Sequence, residues 1–313
     1  MTQLHRFAVF LACAVVLLIA AGGLVKSKEA GLSVPDWPTS YGGFNPPRWW
    51  QIDTVRAEHG HRLIAGTVGL LTLALALWTQ RAESRRWVRR LAWTAFAAVV
   101  AQALLGGLTV RLFLPPAVSI AHAALAQAFL CLVVALAVVT SGRWRAGEET
   151  SGKGDGRLRW LATCTAALVY VQILVGAVMR HSGAGLAIPT FPDVFGGLVP
   201  PHWSFGIGVH YLHRVGALWV ALAVATTAAR VLTRHRGQRA LVAPALGALG
   251  VLALQIALGA SVVLTQKAVL PNTLHVATGA VLLGTCLVMA LEARRAAAPA
   301  ALPRAAAAQE VAA

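Results

Sequence analysis

Eight apolar runs, each long enough to cross the ~30 Å hydrocarbon core of a bilayer as a helix, make up most of this chain. They lie at about 7–25, 62–80, 91–110, 117–140, 160–179, 207–229, 240–265 and 271–292. With 58% hydrophobic and only 12% charged residues among 313, the chain is too apolar for a soluble domain. The sequence therefore predicts an all-α membrane protein with eight transmembrane helices.

Lysine and arginine are distributed unevenly between the loops on the two sides of the predicted membrane. If the N-terminus is cytoplasmic, the inner segments hold eighteen of these residues and the outer segments seven. Because basic residues accumulate on the cytoplasmic side, both termini are predicted to be cytoplasmic, in an inner (cytoplasmic) membrane of bacterial type. The net charge of +16 is then a topology signal, and the bilayer, not nucleic acid, is the expected partner.

The chain contains an internal repeat. Residues 31–49 align with residues 185–203 without a gap and are identical at nine of nineteen positions, where chance would give roughly one or two. Three further pairs match within the predicted helices: Gly22 with Gly176, Gln102 with Gln255, and Gly106 with Gly259. Since an even number of spans separates the repeats, the halves share one orientation. The fold is predicted to be two parallel-related four-helix bundles that arose by duplication.

This repeat defines the predicted domain organisation. The N-terminal four-helix half covers 1–141, a cytoplasmic linker covers 142–158, the C-terminal four-helix half covers 159–293, and 294–313 is a disordered tail.

Histidines occur at matched places in the two halves. The stretch EHGHR at 58–62 corresponds to HYLHR at 210–214, and SIAHAALAQ in the fourth span corresponds to NTLHVATGA in the eighth. The matched residues are His61 with His213 and His122 with His275. His122, His213 and His275 lie four to six residues past the outer end of their apolar runs, roughly 6–9 Å deep, and His61 is predicted at the same level as His122.

Two imidazoles at one height across a helical bundle are the arrangement that axial ligation of a haem iron requires. The sequence therefore predicts two haem sites near the outer surface, one formed by His61 and His122 and the other by His213 and His275. For any single histidine, an amphipathic interfacial role is the competing interpretation. A zinc site would need three or four close ligands at spacings such as HExxH or CxxC, and neither spacing occurs.

These residues resemble a known family. The ExxHR at 58–62, the HxxHR at 210–214, the later His122 and His275, the GLSVPDWP loop and the duplicated four-helix layout are similar to haem A synthase, a membrane enzyme of cytochrome oxidase biogenesis. The resemblance extends from the first span to about residue 292. Members of that family often carry a cysteine pair in the first outer loop, where this chain has Val34 and Ser40.

The resemblance implies an oxidoreductase that oxidises a ring methyl of haem O to the formyl group of haem A. It implies that His61 and His122 hold the substrate haem in the N-terminal half, and that His213 and His275 hold a haem b in the C-terminal half. Haem O synthase is the expected source of haem O. The electron donor is not identified, and a homo-oligomer is left open.

One asymmetry between the halves suggests where chemistry occurs. Glu58 stands where the second half has His210, three residues before a predicted ligand in each case. Positions i and i+3 share a helix face, so Glu58 is predicted to face the same site as His61 and to act as a catalytic proton-transfer group. The alternative is an ion-pair role, with one of three basic partners: Arg62, Arg56 or Lys28.

Two further interpretations stay open. Arg62 and Arg214 are predicted to bind haem propionates, although arginines at helix ends also extend to the membrane surface. Two other classes of protein would explain the histidines: a di-haem b-type electron carrier without catalysis, and a transporter with a histidine proton relay.

Overall fold

The computed structural model describes residues 3–145 and 155–295, and within them the chain is helical without strands. The α-helices are α1 Gln3–Ser27, α2 Asp53–Ala82, α3 Arg86–Arg111, α4 Pro116–Val139, the short α5 Gly142–Arg145, α6 Gly156–His181, α7 Phe205–Arg234, α8 Arg239–Leu264 and α9 Val269–Arg295. All except α5 are long and apolar enough to cross a membrane. The predicted all-α fold with eight membrane-spanning helices is confirmed. Of the predicted linker at 142–158, residues 146–154 lie outside the described residues, as do residues 296–313 of the predicted tail at 294–313.

Helix α2 begins well before the apolar run that predicted it. Its first residue is Asp53, whose carboxylate forms ion pairs with Lys28 and Arg56. An acidic residue in the first turn also interacts favourably with the helix dipole. Apolarity marks membrane depth and not helix ends, so the predicted start at residue 62 was wrong. Glu58 and His61 therefore lie well inside the helix.

The helices form two bundles with the same internal contacts. In the first, α1 packs on α2 and α4, while α3 packs on α2 and α4; in the second, α6 packs on α7 and α9, while α8 packs on α7 and α9. Between the bundles, α1 contacts α9, α4 contacts α6, and α4 contacts α9. Exchanging each helix for its repeat counterpart leaves this set unchanged, as a two-fold arrangement requires. Origin by duplication and the domain boundaries remain predictions from the sequence.

Small residues allow the helices to approach closely. Lipid is as apolar as leucine, so helices in a bilayer associate through tight packing and not through burial of apolar area from water. The fully buried positions accordingly include many alanines: Ala8, Ala92, Ala95, Ala162, Ala245 and Ala248. At the contact of α1 with α9, a methyl group on Gly23 would lie 3.5 Å from Val276.

Polar contacts join the two bundles at the end of α1 and α6. Arg180 of α6 donates to the carbonyl oxygen of Gly23 at 2.7 Å and to the Ser27 hydroxyl at 2.9 Å, both on α1. Thr273 of α9 donates to the same hydroxyl at 3.0 Å. These bonds connect α1 to α6 and α9 of the second bundle.

A carboxylate organises the other end of the first bundle. Glu83, in the turn between α2 and α3, pairs with Arg85 at 2.7 Å and with Arg145 at 2.9 Å. The hydrogen bond from Arg85 lowers the pKa of Glu83 to about 2 and keeps it ionised. Arg85 also donates to the Val139 carbonyl at 2.8 Å, so the network ties the ends of α2, α3 and α4 together.

We predict that the loops at the two ends of α2 lie on opposite sides of the membrane. Phe44 is 77% exposed in the loop before α2, and Ser84 is exposed in the turn after it. In intact cells a membrane-impermeant maleimide should label Phe44→Cys, and it should label Ser84→Cys only after permeabilisation. The parent, with its four native cysteines all on the membrane-spanning helices, is the background control. The reverse pattern would overturn the predicted topology.

Candidate functional site

The four matched histidines occupy equivalent helical positions. His61 and His213 are each the ninth residue of their helices, α2 and α7. His122 and His275 are each the seventh residue of α4 and α9. All four side chains are half-buried. The structure thus places one histidine pair in each bundle.

Each imidazole packs against a glycine on a neighbouring helix. A methyl group placed on Gly22 or Gly106 would lie 3.1 Å from Cε1 of His61 or His122, respectively. In the second bundle the same contact would be 3.0 Å, for Gly176 with His213 and for Gly259 with His275. Any side chain larger than hydrogen would therefore displace the ring. The repeat had matched these glycines, but nothing in the sequence indicated that they face the histidines.

In the second bundle the two rings oppose one another at a distance suited to a metal between them. The centroids of His213 and His275 are 6.3 Å apart, with the ring planes at 72°. An imidazole nitrogen lies about 2 Å from a first-row metal, and the ring adds roughly 1 Å on each side, so opposed ligands place their centroids about 6 Å apart. The observed separation fits a bis-histidine metal site.

In the first bundle the rings of His61 and His122 leave polar atoms without partners. Both Nδ1 atoms are buried and have no hydrogen bond to any described residue. The backbone carbonyls of Leu18 and Gln102 lie near these rings but do not reach hydrogen-bond geometry. Buried polar atoms in native proteins are normally satisfied, so these two Nδ1 atoms are exceptions among the described residues. Among the described residues no three His, Cys, Asp or Glu side chains cluster as metal ligands, which leaves the pairs as candidate ligand sets.

Arg62 holds the outer loop against the first histidine pair. Its guanidinium donates to the carbonyl oxygens of Val34 at 2.9 Å, Asp36 at 2.6 Å and Thr39 at 2.9 Å. It also pairs with Glu58 Oε1 at 2.7 Å, while Glu58 Oε2 accepts from the Val34 amide at 2.8 Å. This ion pair lies within α2, and its hydrogen bonds to the loop backbone join the loop to the helix.

The second half repeats this clamp with a histidine in place of the carboxylate. Arg214 donates to the carbonyl oxygens of Ile188 at 3.1 Å, Thr190 at 2.6 Å and Asp193 at 2.9 Å. His210 Nδ1 accepts from the Ile188 amide at 3.2 Å, as Glu58 does from Val34. Glu58 and His210 therefore occupy the same structural position with different charge.

The clamps bear on three sequence predictions. Glu58 does pair with Arg62, as the alternative interpretation had it, and both carboxylate oxygens are directed at loop and arginine. Its role in proton transfer remains a prediction. The guanidinium groups of Arg62 and Arg214 bind loop carbonyls, and their role towards haem propionates also remains a prediction.

The first outer loop is folded tightly over the site without a disulfide at its two key positions. Val34 and Ser40 are both buried, and Ser40 Oγ lies 2.9 Å from His59 Nδ1 and 3.5 Å from Arg62. Although burial opposes ionisation of Asp36, hydrogen bonds from Thr39 and from the amides of Gly42 and Tyr41 lower its pKa to about 2. Hydrogen bonds and the arginine clamp thus shape this loop.

Fold and site together define a multi-pass membrane protein with two histidine pairs, one in each half, beneath arginine-clamped outer loops. The sequence matches the COX15-CtaA family, described as a cytochrome oxidase assembly protein, over residues 53–287. The chain belongs to this family.

Several bacterial proteins that are similar to this chain are named heme A synthase. The chain is 30% identical over 281 residues to a heme A synthase of Symbiobacterium thermophilum, covering 86% of this chain and 89% of the relative. It is 27% identical to a heme A synthase of Alkalihalophilus pseudofirmus, covering 87% of this chain and 91% of the relative. A heme A synthase of Shouchella clausii is 30% identical, with coverage of 85% and 89%.

The glycine contacts predict a steric effect on the metal sites. Gly176→Ala or Gly259→Ala should displace His213 or His275 and lower the haem bound in the second bundle, measured by absorbance per protein after purification. Gly250→Ala on α8 is the matched control, because a methyl group there would meet no neighbour within 4 Å. Equal haem content in all three variants would show that the glycines do not position the ligands.

Proposed function

We propose that this chain is a haem A synthase, an oxidoreductase that converts a ring methyl of haem O to the formyl group of haem A. The observation that carries the proposal is the pair of matched histidine sites, each with its rings set against glycines of neighbouring helices. Relatives named heme A synthase, similar over most of the chain, support the same reaction.

The first bundle is the proposed substrate site. His61 and His122 would hold the iron of haem O, and the packing of each ring on a glycine of a neighbouring helix supports this role. The second bundle would hold haem b through His213 and His275, whose 6.3 Å ring separation fits two axial ligands. When bound, haem b supplies reversible one-electron transfer at a potential set by its ligands.

The chain's own contribution is to bind, orient and exchange protons. Oxidation of a methyl to a formyl group adds one oxygen atom. Written with water as the source of that oxygen, it releases protons and electrons, so the electrons pass to an external oxidant and the protons require an acceptor at the site. Glu58 is three residues before His61 on α2, and its ion pair with Arg62 keeps a carboxylate buried there. We assign Glu58 Oε1 or Oε2 as the proton acceptor, with Arg62 and the loop holding the carboxylate in place.

The proposed setting is a bacterial-type inner membrane with both termini cytoplasmic. Haem O synthase is the proposed source of haem O, and both haem sites would lie towards the outer side, under the clamped loops.

Two other functions predict different haem contents. A transporter with a histidine relay would contain no haem, and an electron carrier would contain haem b alone. A pyridine haemochrome spectrum of the purified protein should instead show haem O or haem A beside haem b. Haem b alone, from cells that make haem O, would contradict the synthase.

Removing a ligand of the second bundle should remove haem b. His213→Ala or His275→Ala should lower bound haem b while the protein still inserts in the membrane, because one axial bond is lost. His202→Ala is the control, since His202 lies exposed in the outer loop against Phe195. Full retention of haem b in both ligand variants would refute the assignment.

Replacing the carboxyl of Glu58 should reduce turnover without loss of haem b. Glu58→Gln keeps an acceptor for the Val34 amide but cannot take up a proton, so the ratio of haem A to haem O in cells should fall roughly 10²-fold or more. His210→Gln, the matched change in the second half, should cost much less.

A third variant separates proton transfer from loop anchoring. Arg62→Gln removes the clamp but keeps the carboxyl. If it lowers the ratio as far as Glu58→Gln does, the clamp and not the proton explains the effect. If Glu58→Gln makes haem A as the parent does, the catalytic assignment is wrong.

A further inference from the structure

The helices that carry the four glycine contacts share a second residue, with one exception. In α3, α6 and α8 a glutamine precedes the glycine by four positions, as Gln102, Gln172 and Gln255. In α1 that position is Leu18, four residues before Gly22. Residues four apart lie on one helix face, so each glutamine is next to the histidine that its glycine contacts.

The glutamines bind the histidines in the structure. Gln102 Nε2 donates to the His122 carbonyl at 2.9 Å. Gln172 Nε2 donates to the His213 carbonyl at 2.7 Å and lies 3.0 Å from its Nδ1. His275 Nδ1–H donates to the Gln255 carbonyl at 3.1 Å, and the Gln255 side-chain nitrogen lies 3.5 Å from His275 Nε2.

His61 alone lacks such a partner. Its neighbour at the matched position is the Leu18 side chain, which offers no hydrogen bond to the ring or the backbone of His61. Its Nδ1 is unpaired among the described residues, as is that of His122, but His122 has the Gln102 amide at its carbonyl. A second substitution accompanies this one. Gly216 leaves room for the Gln172 amide, which a methyl group there would contact closely, whereas the first half has Ile64 at that position. The first bundle thus lacks both the amide and the space for it.

Hydrogen bonds to the ring or backbone of a metal-binding histidine fix its orientation and strengthen the metal bond. An amide has a donor and an acceptor, and the donor of Gln172 faces His213 in the structure. To accept from the Nδ1–H form that binds a metal through Nε2, the amide would turn Oε1 to the ring and give up its bond to the His213 carbonyl. Each ring of the second bundle thus has a hydrogen-bonding group beside Nδ1, the Gln172 amide for His213 and the Gln255 carbonyl for His275. In the first bundle neither has, and only His122 is tied through its carbonyl.

We infer that His61 is the labile axial ligand, which leaves the iron of the substrate haem, and that Gln172 is a positioning residue that holds His213 on haem b. This inference rests on the proposed function. It assigns His61 a bond to iron that breaks and His213 a bond that persists. An iron with two histidines bound has no position free for another ligand. The substrate haem must also enter and leave its site, whereas haem b stays bound. The glutamine is missing in the bundle that is proposed to hold the substrate haem.

Carbon monoxide provides the test, because it binds a reduced bis-histidine haem only after one histidine leaves. Purified full-length protein containing both haems is reduced with dithionite and mixed with carbon monoxide in a stopped-flow spectrometer. In the parent, carbon monoxide should bind the substrate haem and not haem b.

Transplanting the second-half residues should stabilise the labile ligand. Leu18→Gln with Ile64→Gly should slow carbon monoxide binding to the substrate haem roughly 10-fold or more, the lower range for loss or gain of such a partner. Ile64→Gly alone is the control for packing. Gln102→Leu tests the other ligand of the same haem. If it accelerates binding while the transplant has no effect, His122 is the ligand that leaves and the inference fails.

The reverse change should loosen haem b. Gln172→Leu should let carbon monoxide bind haem b, weaken haem b retention about 10–100-fold and raise its midpoint potential, since the histidine becomes a poorer donor. Gln172→Glu keeps an acceptor for Nδ1–H and should restore the parent behaviour, which a purely structural role would not predict. Unchanged carbon monoxide reactivity and potential in Gln172→Leu would overturn the positioning role.

These outcomes are distinct from failure of the proposed function. If the parent contains no haem O, haem A or haem b by haemochrome spectrum, the proposed function itself is wrong. If the parent contains them and the transplant and Gln172→Leu both behave as the parent, only the present inference is wrong.

Discussion

Close contact between four glycines and four imidazoles sets the geometry of this protein. A histidine in a membrane-spanning helix is costly unless it has a task, and its ring needs space that packed helices rarely leave. Here the neighbouring helix has a glycine at each contact with an imidazole: Gly22, Gly106, Gly176 and Gly259. A methyl group at any of these glycines would lie 3.0–3.1 Å from ring atom Cε1, so the contacts restrict where each ring can lie. The same four contacts therefore determine how closely the helices approach and where the histidine rings lie.

The arginine clamps solve a different problem, that of a polar loop at the membrane surface. Loop carbonyls that make no regular hydrogen bonds need donors, and one guanidinium can serve several of them. Arg62 and Arg214 each serve three carbonyls. Only the first clamp includes a carboxylate, because Glu58 replaces the histidine of the second half. The charge difference lies beside the site where we propose that oxidation occurs.

Much of this arrangement could be predicted from the sequence, and the limits have physical reasons. Hydropathy predicted eight helices because the bilayer fixes their length, and the repeat matched His61 with His213 and His122 with His275. It could not predict that α2 begins at Asp53, since loop partners and not apolarity set that end. Nor did it predict that Glu58 would engage the Val34 amide, because a helix face known from spacing alone does not reveal what covers it. The tasks of the glutamines also depended on knowing which helices meet.

The contact of α4 with α9 has a consequence for the two sites together. Each of these helices carries one histidine of its own pair, and each also packs on the first helix of the opposite half. If the two pairs bind haem as proposed, the packing of α4 on α9 contributes to the affinity of both sites. Thermodynamic linkage then requires that any preference of one site for a particular α4–α9 packing be matched by an equal and reciprocal effect of the other.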